Sequence, residues 1–315
     1  MSDFWNILGQ LTEERVALNR ALEAAIDAPE DLQMRVLGRA GARQSNPDDA
    51  KLWAERHLEL SRKTRNAREE AWALHNLGNI ARVKGQLSES RQLLESAVAL
   101  FREQQDETGL AITLLSLGVL AVDQDDFSSA RTFVTESHEL TERLGIRGHL
   151  PLTRTYLAFL LHKEGKRAAA DKLIQESLEM LRQDGRQSWL PWGLHWKGRI
   201  DLERGELKTA RYDLTESLTI FQTNEDSGGQ IRSLLAFACI YAAQGAFTKA
   251  TTLLAAEAAQ REQEGSPPPA DWRREIESIE ANAQQMLSES DFNEACEAGR
   301  QMSLAQAVAY ALESD

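Results

Sequence analysis

The sequence predicts an all-α protein built from stacked helical hairpins, on the strength of its composition and of two periodic columns of small residues. Helix-forming Ala, Leu, Glu, Gln and Arg dominate, and only 7 of the 315 residues are proline. The first column repeats every 40 residues, at Gly38, Gly78, Gly118, Ala158, Gly198 and Ala238. The second column follows seven residues later, at Gly85, Gly165, Gly205 and Gly245, with Ser45 and Asp125 as exceptions.

Each column has a physical reason. A small residue lets two helices approach closely, because a larger side chain would hold the backbones apart. The glycine column falls where one helix must end, since glycine accepts the left-handed conformation. Two residues further on, a large apolar residue opens the second helix, at Leu87, Phe127, Leu207 and Phe247. A single hairpin cannot bury both of its apolar faces, so neighbouring hairpins are expected to stack into a solenoid.

The segment "HNLGNIARVKGQLSESRQLLESAVALF" resembles a tetratricopeptide repeat, at Leu77-Gly78, Gly85, Leu87, Ser90 and Ala97. This resemblance implies a right-handed superhelical solenoid. The family's usual unit has about 34 residues, so the longer period here leaves extra residues. We expect these between hairpins, in "REQQDETGL" and "QTNEDSGGQ", either as longer second helices or as longer inter-repeat loops.

The predicted organisation is one continuous solenoid domain. A capping helix is expected in residues 1–30, within which 11–26 read as amphipathic, and six repeats in 31–262. C-terminal capping helices are expected in 263–315: the "GSPPP" run at Gly265–Pro269 stops one helix, and helices resume over 271–287 and 292–312.

Both ends carry a second resemblance. The closing segment resembles the end of the sensor domains of LuxR/MalT-type regulators, which are STAND proteins (signal-transduction ATPases with numerous domains). The residues that carry it are Phe292, Ala295, Gly299, Ser303, Ala307, Ala311 and Leu312. The opening helix resembles the start of the same region, with Asn19 and Leu22. Full-length members have a nucleotide-binding module, but no G-x-x-x-x-G-K-[ST] phosphate loop occurs here. The chain is therefore interpreted as an isolated sensor region or as a stand-alone relative.

Composition disfavours several classes of function. The net charge of −13 repels phosphate backbones, so direct nucleic-acid binding is not expected. No apolar run approaches the length of a membrane span, and Met1–Gln10 lack the features of a signal peptide. The two cysteines form no disulfide framework, which favours a reducing, cytoplasmic location.

No catalytic motif is apparent. The six histidines are scattered, and H-E-x-x-H, C-x-x-C and G-x-S-x-G patterns are absent. The abundant acids are expected to be solvated charges on helix exteriors. We therefore expect a non-enzymatic protein with no metal and no cofactor, although a constellation assembled across repeats stays open.

The tetratricopeptide resemblance also implies which residues face a ligand, because the first helix of each hairpin lines the concave side. The implied positions are Arg35, Arg39 and Arg43 in the first repeat; Trp72, His75, Asn76, Asn79 and Arg82 in the second; Ser116, Val119 and Asp123 in the third; Tyr156, Phe159, His162 and Lys163 in the fourth; and Trp192, His195, Trp196, Arg199 and Glu203 in the fifth.

Two groups within this set suggest binding. Aromatic rings with polar neighbours are typical of ligand pockets, with packing between adjacent first helices as the alternative. Arg35, Arg39 and Arg43 are four residues apart and are predicted to share one helix face, where they could hold a carboxylate or phosphate. The alternative for the arginines is pairing with the local acids Glu30, Asp31 and Asp48.

The functional hypothesis is a sensor that captures an inducer, whether a protein, a peptide or a small molecule, in its concave groove. It would relay capture to the nucleotide-binding module of the same parent regulator. The alternatives are a stand-alone scaffold or adaptor for protein–protein interaction, and a peptide pheromone receptor.

Overall fold

The computed structural model describes residues 20, 22, 28–43, 47–183, 189–265 and 272–313. Within them the chain forms fifteen helices and no strand, which confirms the all-α prediction. The expected opening helix over 11–26 lies outside the described residues apart from Arg20 and Leu22, and so does the "GSPPP" run apart from Gly265. No helix in the described part of the chain has the length and apolar character needed to cross a membrane.

The helices follow one another with short connections. They are α1 (Glu30–Arg43), α2 (Pro47–Lys63), α3 (Ala67–Val83), α4 (Leu87–Glu103), α5 (Glu107–Asp123), α6 (Phe127–Arg143), α7 (Leu150–Lys163), α8 (Arg167–Gln183), α9 (Leu190–Glu203), α10 (Leu207–Thr223), α11 (Ser227–Ala243), α12 (Phe247–Gln263), α13 (Arg273–Met286), α14 (Glu289–Arg300) and α15 (Leu304–Leu312). The chain divides into two compact units, unit 1 at Met1–Thr153 and unit 2 at Arg154–Asp315.

The 40-residue period arises from long helices rather than from long loops. The first and second helices of the second hairpin, α3 and α4, each have 17 residues. Three residues, 84–86, join α3 to α4, and three residues, 104–106, join α4 to the next hairpin. Of the two predicted alternatives, the longer second helix is found at this connection and the longer inter-repeat loop is not. The first helix is equally long, so both helices of the hairpin hold the extra residues.

The reason is that second helices end as sharply as first helices do. Gly85 ends α3 with φ +71°, and Gln105 ends α4 with φ +54° although it has a side chain. Asp125, one of the two exceptions in the glycine column, also adopts the left-handed conformation, with φ +60°. Gln105 and Glu225 adopt the left-handed conformation although they are not glycine. A column of glycines in the sequence therefore does not mark where these second helices end.

The first small-residue column marks the contact between the two helices of a hairpin. A Cβ atom placed on Gly118 of α5 would come within 2.5 Å of Cγ2 of Val134 on α6. The predicted close approach of helices at this column is thus confirmed.

In unit 1, the first helices α1, α3 and α5 are neighbours, with α3 in contact with both of the others. The second helices α2, α4 and α6 pack against them. The core between α3, α4 and α5 contains fully buried Leu94 and Phe101 together with Leu114 and Leu120.

In unit 2, α9 contacts both α10 and α11, and the three C-terminal helices pack on α11 and α12. Gly299 of α14 lies so close to α12 that an added Cβ would be 2.1 Å from the carbonyl oxygen of Thr252. Ser303 caps α15 with a reciprocal capping box to Gln306. The helix predicted over 271–287 is found at Arg273–Met286, and the final pair begins at Glu289 rather than at 292.

Candidate binding faces on the first helices

Hydrogen bonds join the three first helices of unit 1. The Nδ2 group of Asn76 on α3 donates to the carbonyl oxygen of Gly38 on α1 at 3.1 Å. Nδ1 of His75 on α3 lies 3.0 Å from Oγ1 of Thr113 on α5. These contacts make α1, α3 and α5 present one continuous surface, which we call the unit 1 face. Among the implied positions on this face, two are exposed, Arg35 and Arg39, and six are half-buried: Trp72, Asn79, Arg82, Ser116, Val119 and Asp123.

Two of the implied ligand residues on α3, His75 and Trp72, contact neighbouring helices. His75 is buried, and its Nε2 lies 3.0 Å from the Nδ2 donor of Asn79. Burial, followed by the nearby charge of His149, lowers the pKa of His75 to about 4, so the ring is neutral. The ring of half-buried Trp72 meets His75 at 5.5 Å and Phe101 of α4 at 5.0 Å, both edge to face.

The end of the same face carries an ion pair. Nη1 of Arg82 on α3 donates to Oδ2 of Asp123 on α5 at 2.7 Å, and both side chains are mostly buried. Two implied ligand residues thus pair with each other, and the pair ties α3 to α5.

The arginines of α1 are arranged differently. Arg35 and Arg39 are exposed and lie one turn apart; Arg43 ends α1, and its side chain lies outside the described part of the chain. Of the acids proposed as their partners, Glu30 binds Nζ of Lys63 at 2.9 Å and Asp48 pairs with Lys84. The hydrogen bond from His57, and more weakly the charges of Arg68 and Arg35, lower the pKa of the Glu69 carboxyl, so Glu69 is the acid that Arg35 senses. The side chains of Arg35 and Arg39 are both exposed on the unit 1 face.

In unit 2, several residues that the sequence assigned to a ligand-binding groove are buried inside the protein. The ring of Trp196 on α9 is 2% exposed and lies 4.5 Å from the ring of Phe159 and 5.2 Å from the ring of Tyr156, both on α7. The side chain of Arg199 is only 1% exposed, with its guanidinium carbon 5.0 Å from the Phe159 ring. We call Phe159, His195, Trp196 and Arg199 the unit 2 pocket.

A residue outside the repeats closes this pocket. Trp272, which immediately precedes α13, is 1% exposed, and the guanidinium carbon of Arg199 lies 4.2 Å from its ring centroid. The Trp272 ring is also 6.3 Å from the ring of His195. A lone tryptophan after a proline run was its only signal in the sequence, and nothing in the repeat pattern assigns that tryptophan a partner.

The carboxylate of Glu203 links two first helices of unit 2, α7 and α9. Glu203 on α9 accepts from Nζ of Lys163 at 2.7 Å and lies 3.2 Å from Nε2 of His162. Burial lowers the pKa of His162 in spite of this carboxylate. Trp192 is half-buried, with its ring edge on Phe221 at 4.9 Å.

His195 is the least satisfied polar group of the unit 2 pocket. It is fully buried, and neither ring nitrogen has a hydrogen-bond partner among the described residues. Burial, followed by the charges of Arg232 and Arg199, lowers the pKa of His195 well below its ordinary value. The ring is therefore neutral.

Comparison with known proteins gives a family for part of the chain and a fold for most of it. Residues 69–143, which lie within α3–α6, match the tetratricopeptide repeat family. No curated protein matches the chain. A Rap protein complexed with competence and sporulation factor superposes with a TM-score of 0.58 at 13% identity, over 86% of this chain and 80% of that one.

Two further solved structures agree. The apo form of RapI superposes with a TM-score of 0.56 at 10% identity, over 88% of this chain and 92% of its own. Aspartyl phosphate phosphatase F from Bacillus subtilis gives 0.51 at 10% identity, over 84% of this chain and 72% of its own. Together with the family match, these likenesses show a tetratricopeptide-type helical fold.

Proposed function

We propose that this protein is a sensor that captures an acidic peptide or protein segment on its unit 1 face. The observation that carries the proposal is the pair of exposed arginines, Arg35 and Arg39, whose nearby acids Glu30 and Asp48 bind lysines instead. A guanidinium can bind a carboxylate through two parallel hydrogen bonds, so this pair suits an acidic side chain or a C-terminal carboxylate.

Three further positions of the unit 1 face supply complementary contacts. Asn79 and Ser116 carry hydrogen-bonding groups, and Val119 adds an apolar surface; all three are half-buried. The Asn79 amide already donates to His75, so this side chain loses little freedom when a ligand binds. One solved structure of similar fold holds competence and sporulation factor, which supports ligand capture and favours a peptide receptor as the second candidate function.

The test begins with peptides selected from a displayed random library on the immobilised protein. The double variant Arg35→Glu/Arg39→Glu is expected to weaken binding of the selected peptides at least about tenfold, and rising salt should weaken binding to the unmodified protein. The control is Arg102→Glu/Arg143→Glu, which changes net charge equally on second helices of the same unit, where both arginines are about half exposed. Equal losses in the two double variants would refute the assignment of the face.

The relay belongs to the same proposal. The resemblance of the closing segment to STAND sensor domains suggests that capture shifts a partner nucleotide-binding module away from an inactive state, through different affinities for its two states. A phosphate-loop module encoded directly upstream, whose ATP turnover changes when a selected peptide is added, would support the relay. An adaptor without switching would bind peptide and leave that turnover unchanged.

We also propose that the chain itself is not an enzyme, although one similar structure is named a phosphatase. Within the described residues, no cluster of His, Cys, Asp and Glu could hold a metal ion. Burial raises the pKa of Cys239 to about 12, which makes this thiol a poor nucleophile. Turnover of ATP or acetyl phosphate that survives repurification would overturn this part of the proposal.

A further inference from the structure

The unit 2 pocket is built around a buried cation that is surrounded by rings. The guanidinium carbon of Arg199 lies 5.0 Å from the Phe159 ring, 5.3 Å from the Trp196 ring and 4.2 Å from the Trp272 ring. Phe159, Trp196 and Arg199 belong to the first helices α7 and α9, whereas Trp272 belongs to the C-terminal segment. An indole is the best of the natural rings for contact with a cation, so the pocket is chemically suited to the residue that fills it.

Trp272 fills the pocket but leaves polar groups there without hydrogen bonds to any described residue. Neither nitrogen of His195 nor Nε1 of Trp272 has a hydrogen-bond partner among the described residues, although both side chains are almost fully buried. Polar groups in a permanent core are nearly always paired. A ligand that brings an indole ring to Arg199 and a hydrogen-bonding group to His195 would contact both residues at the same time.

The segment that carries Trp272 is lightly attached. Of the 14 residues of α13, only Ile279 and Ala283 are buried, whereas α11 buries eleven of its 17 residues. No side chain caps the start of α13 at Trp272. Elements with few buried contacts open locally at low cost, so α13 can leave the pocket while α11 stays folded.

The last two helices have anchors of their own. Gly299 of α14 lies against the backbone of α12. At the end of α15, Nη2 of Arg211 donates to the carbonyl oxygen of Glu313 at 3.0 Å, and the Tyr241 hydroxyl lies at the same distance from that oxygen. Release of Trp272 therefore does not require release of α14 or α15.

We infer that the unit 2 pocket is a binding site for an indole side chain of a partner peptide, and that Trp272 occupies this site in the free protein as an internal competitor. The inference rests on the proposed peptide-binding function. It adds a second binding site, the chemical class of the ligand and the residue, Trp272, that regulates access to the site. A tethered competitor has an effective concentration on the order of mM. A partner must therefore bind tightly, or be delivered by another contact, before it replaces Trp272.

The first test removes the competitor from the full-length chain and supplies it separately. The probe is a fluorescein-labelled peptide of residues 266–280, and the control peptide carries Trp272→Ala. The protein variant Trp272→Ala is expected to bind the probe at least about tenfold more tightly than the unmodified protein does, and at least about tenfold more tightly than it binds the control peptide. The matched variant Trp189→Ala removes a tryptophan that is 40% exposed and should behave like the unmodified protein.

Equal binding of the probe by the unmodified protein and the Trp272→Ala variant would overturn the inference. So would binding that does not depend on the tryptophan of the probe.

The second test needs no variant and decides the matter if Trp272→Ala fails to fold. Hydrogen exchange of the unmodified protein is followed with and without the probe at a few mM, a concentration that matches the tethered competitor. Displacement is expected to speed exchange in α13 at least about tenfold and to leave α11 and α12 unchanged. Unchanged exchange in α13 at that concentration would show that Trp272 is a fixed part of the core.

The two proposals fail separately. If selected peptides depend on Arg35 and Arg39 but the probe does not bind the Trp272→Ala variant, only the indole site is wrong. If the probe binds that variant while no selected peptide depends on the two arginines, the unit 1 face is wrong and the indole site stands.

Discussion

The two units use the same hairpin to make opposite kinds of surface. In unit 1 the first helices carry exposed Arg35 and Arg39 beside half-buried polar side chains. In unit 2 the corresponding helices bury Trp196 and Arg199 beneath Trp272. The tetratricopeptide resemblance implies that both sets belong to the ligand face. The position of a residue in the repeat determines which face of its helix it occupies. Whether that face is exposed to solvent depends on the other segments that pack on it, as Trp272 does in unit 2.

The largest expected effect tests whether Trp196 is a core residue. Trp196→Ala should lower the free energy of unfolding by about 3–5 kcal/mol, because the ring is 2% exposed and packs on Phe159 and Tyr156. Urea unfolding measures the change. Trp189→Ala, at a side chain that is 40% exposed, should change stability by no more than about 0.5 kcal/mol.

A small loss for Trp196→Ala would mean that the unit 2 face is more open in solution than its packing indicates. The contrast between the two units would then weaken.

This contrast also marks the limit of sequence reasoning. Gly118 could be predicted as a close-packing site and Gly85 as a turn, because both requirements are local and repeat along the chain. Trp272 could not be placed, since it lies outside the repeats, its partner Arg199 lies in the fifth repeat, and only folding brings the two together. Likewise, Gln105 adopts the left-handed conformation at a turn, and the sequence has no glycine there from which the turn could be predicted.

The next prediction concerns what the two units share, the close contact within a hairpin. Gly118→Leu should cost about 1–3 kcal/mol of unfolding free energy through overpacking, because even a Cβ would lie 2.5 Å from Cγ2 of Val134. Gly228→Leu is the matched control, since among the described residues a Cβ added there meets no atom closer than Oδ1 of Asp226, at 3.7 Å. Equal melting temperatures for the two variants would contradict the packing role of the column.

A third prediction uses pH to probe the interior of the unit 1 face. Burial lowers the pKa of His75 to about 4, whereas the unfolded chain has the ordinary histidine value of about 6.5. The folded state therefore binds fewer protons between these values, and stability falls as pH falls from about 6.5 to about 4. Between pH 7 and pH 5, His75 should account for a loss of about 2 kcal/mol.

His75→Gln should remove that part of the pH dependence, as measured by urea unfolding at both pH values. His195 in unit 2 also has a lowered pKa and provides the comparison: His195→Gln should reduce the slope in the same direction. An unchanged slope in His75→Gln would mean that the ring is solvated and that the α3–α5 contact is loose.

The smallest expected effect tests whether the turns of the two units are equivalent. Asp125 ends α5 with φ +60°, where the second column elsewhere has glycine, as at Gly205 with φ +78° in unit 2. A non-glycine residue pays about 1–2 kcal/mol for the left-handed conformation, while glycine loses more chain entropy on folding. Because the first effect exceeds the second, Asp125→Gly should stabilise the protein by about 0.5–1 kcal/mol, and Gly205→Ala should destabilise it by a similar amount. Thermal unfolding of both variants measures the shifts. A loss of stability in Asp125→Gly would show that the Asp125 side chain contributes more to this turn than its backbone conformation costs, and the turns of units 1 and 2 would then be held by different forces.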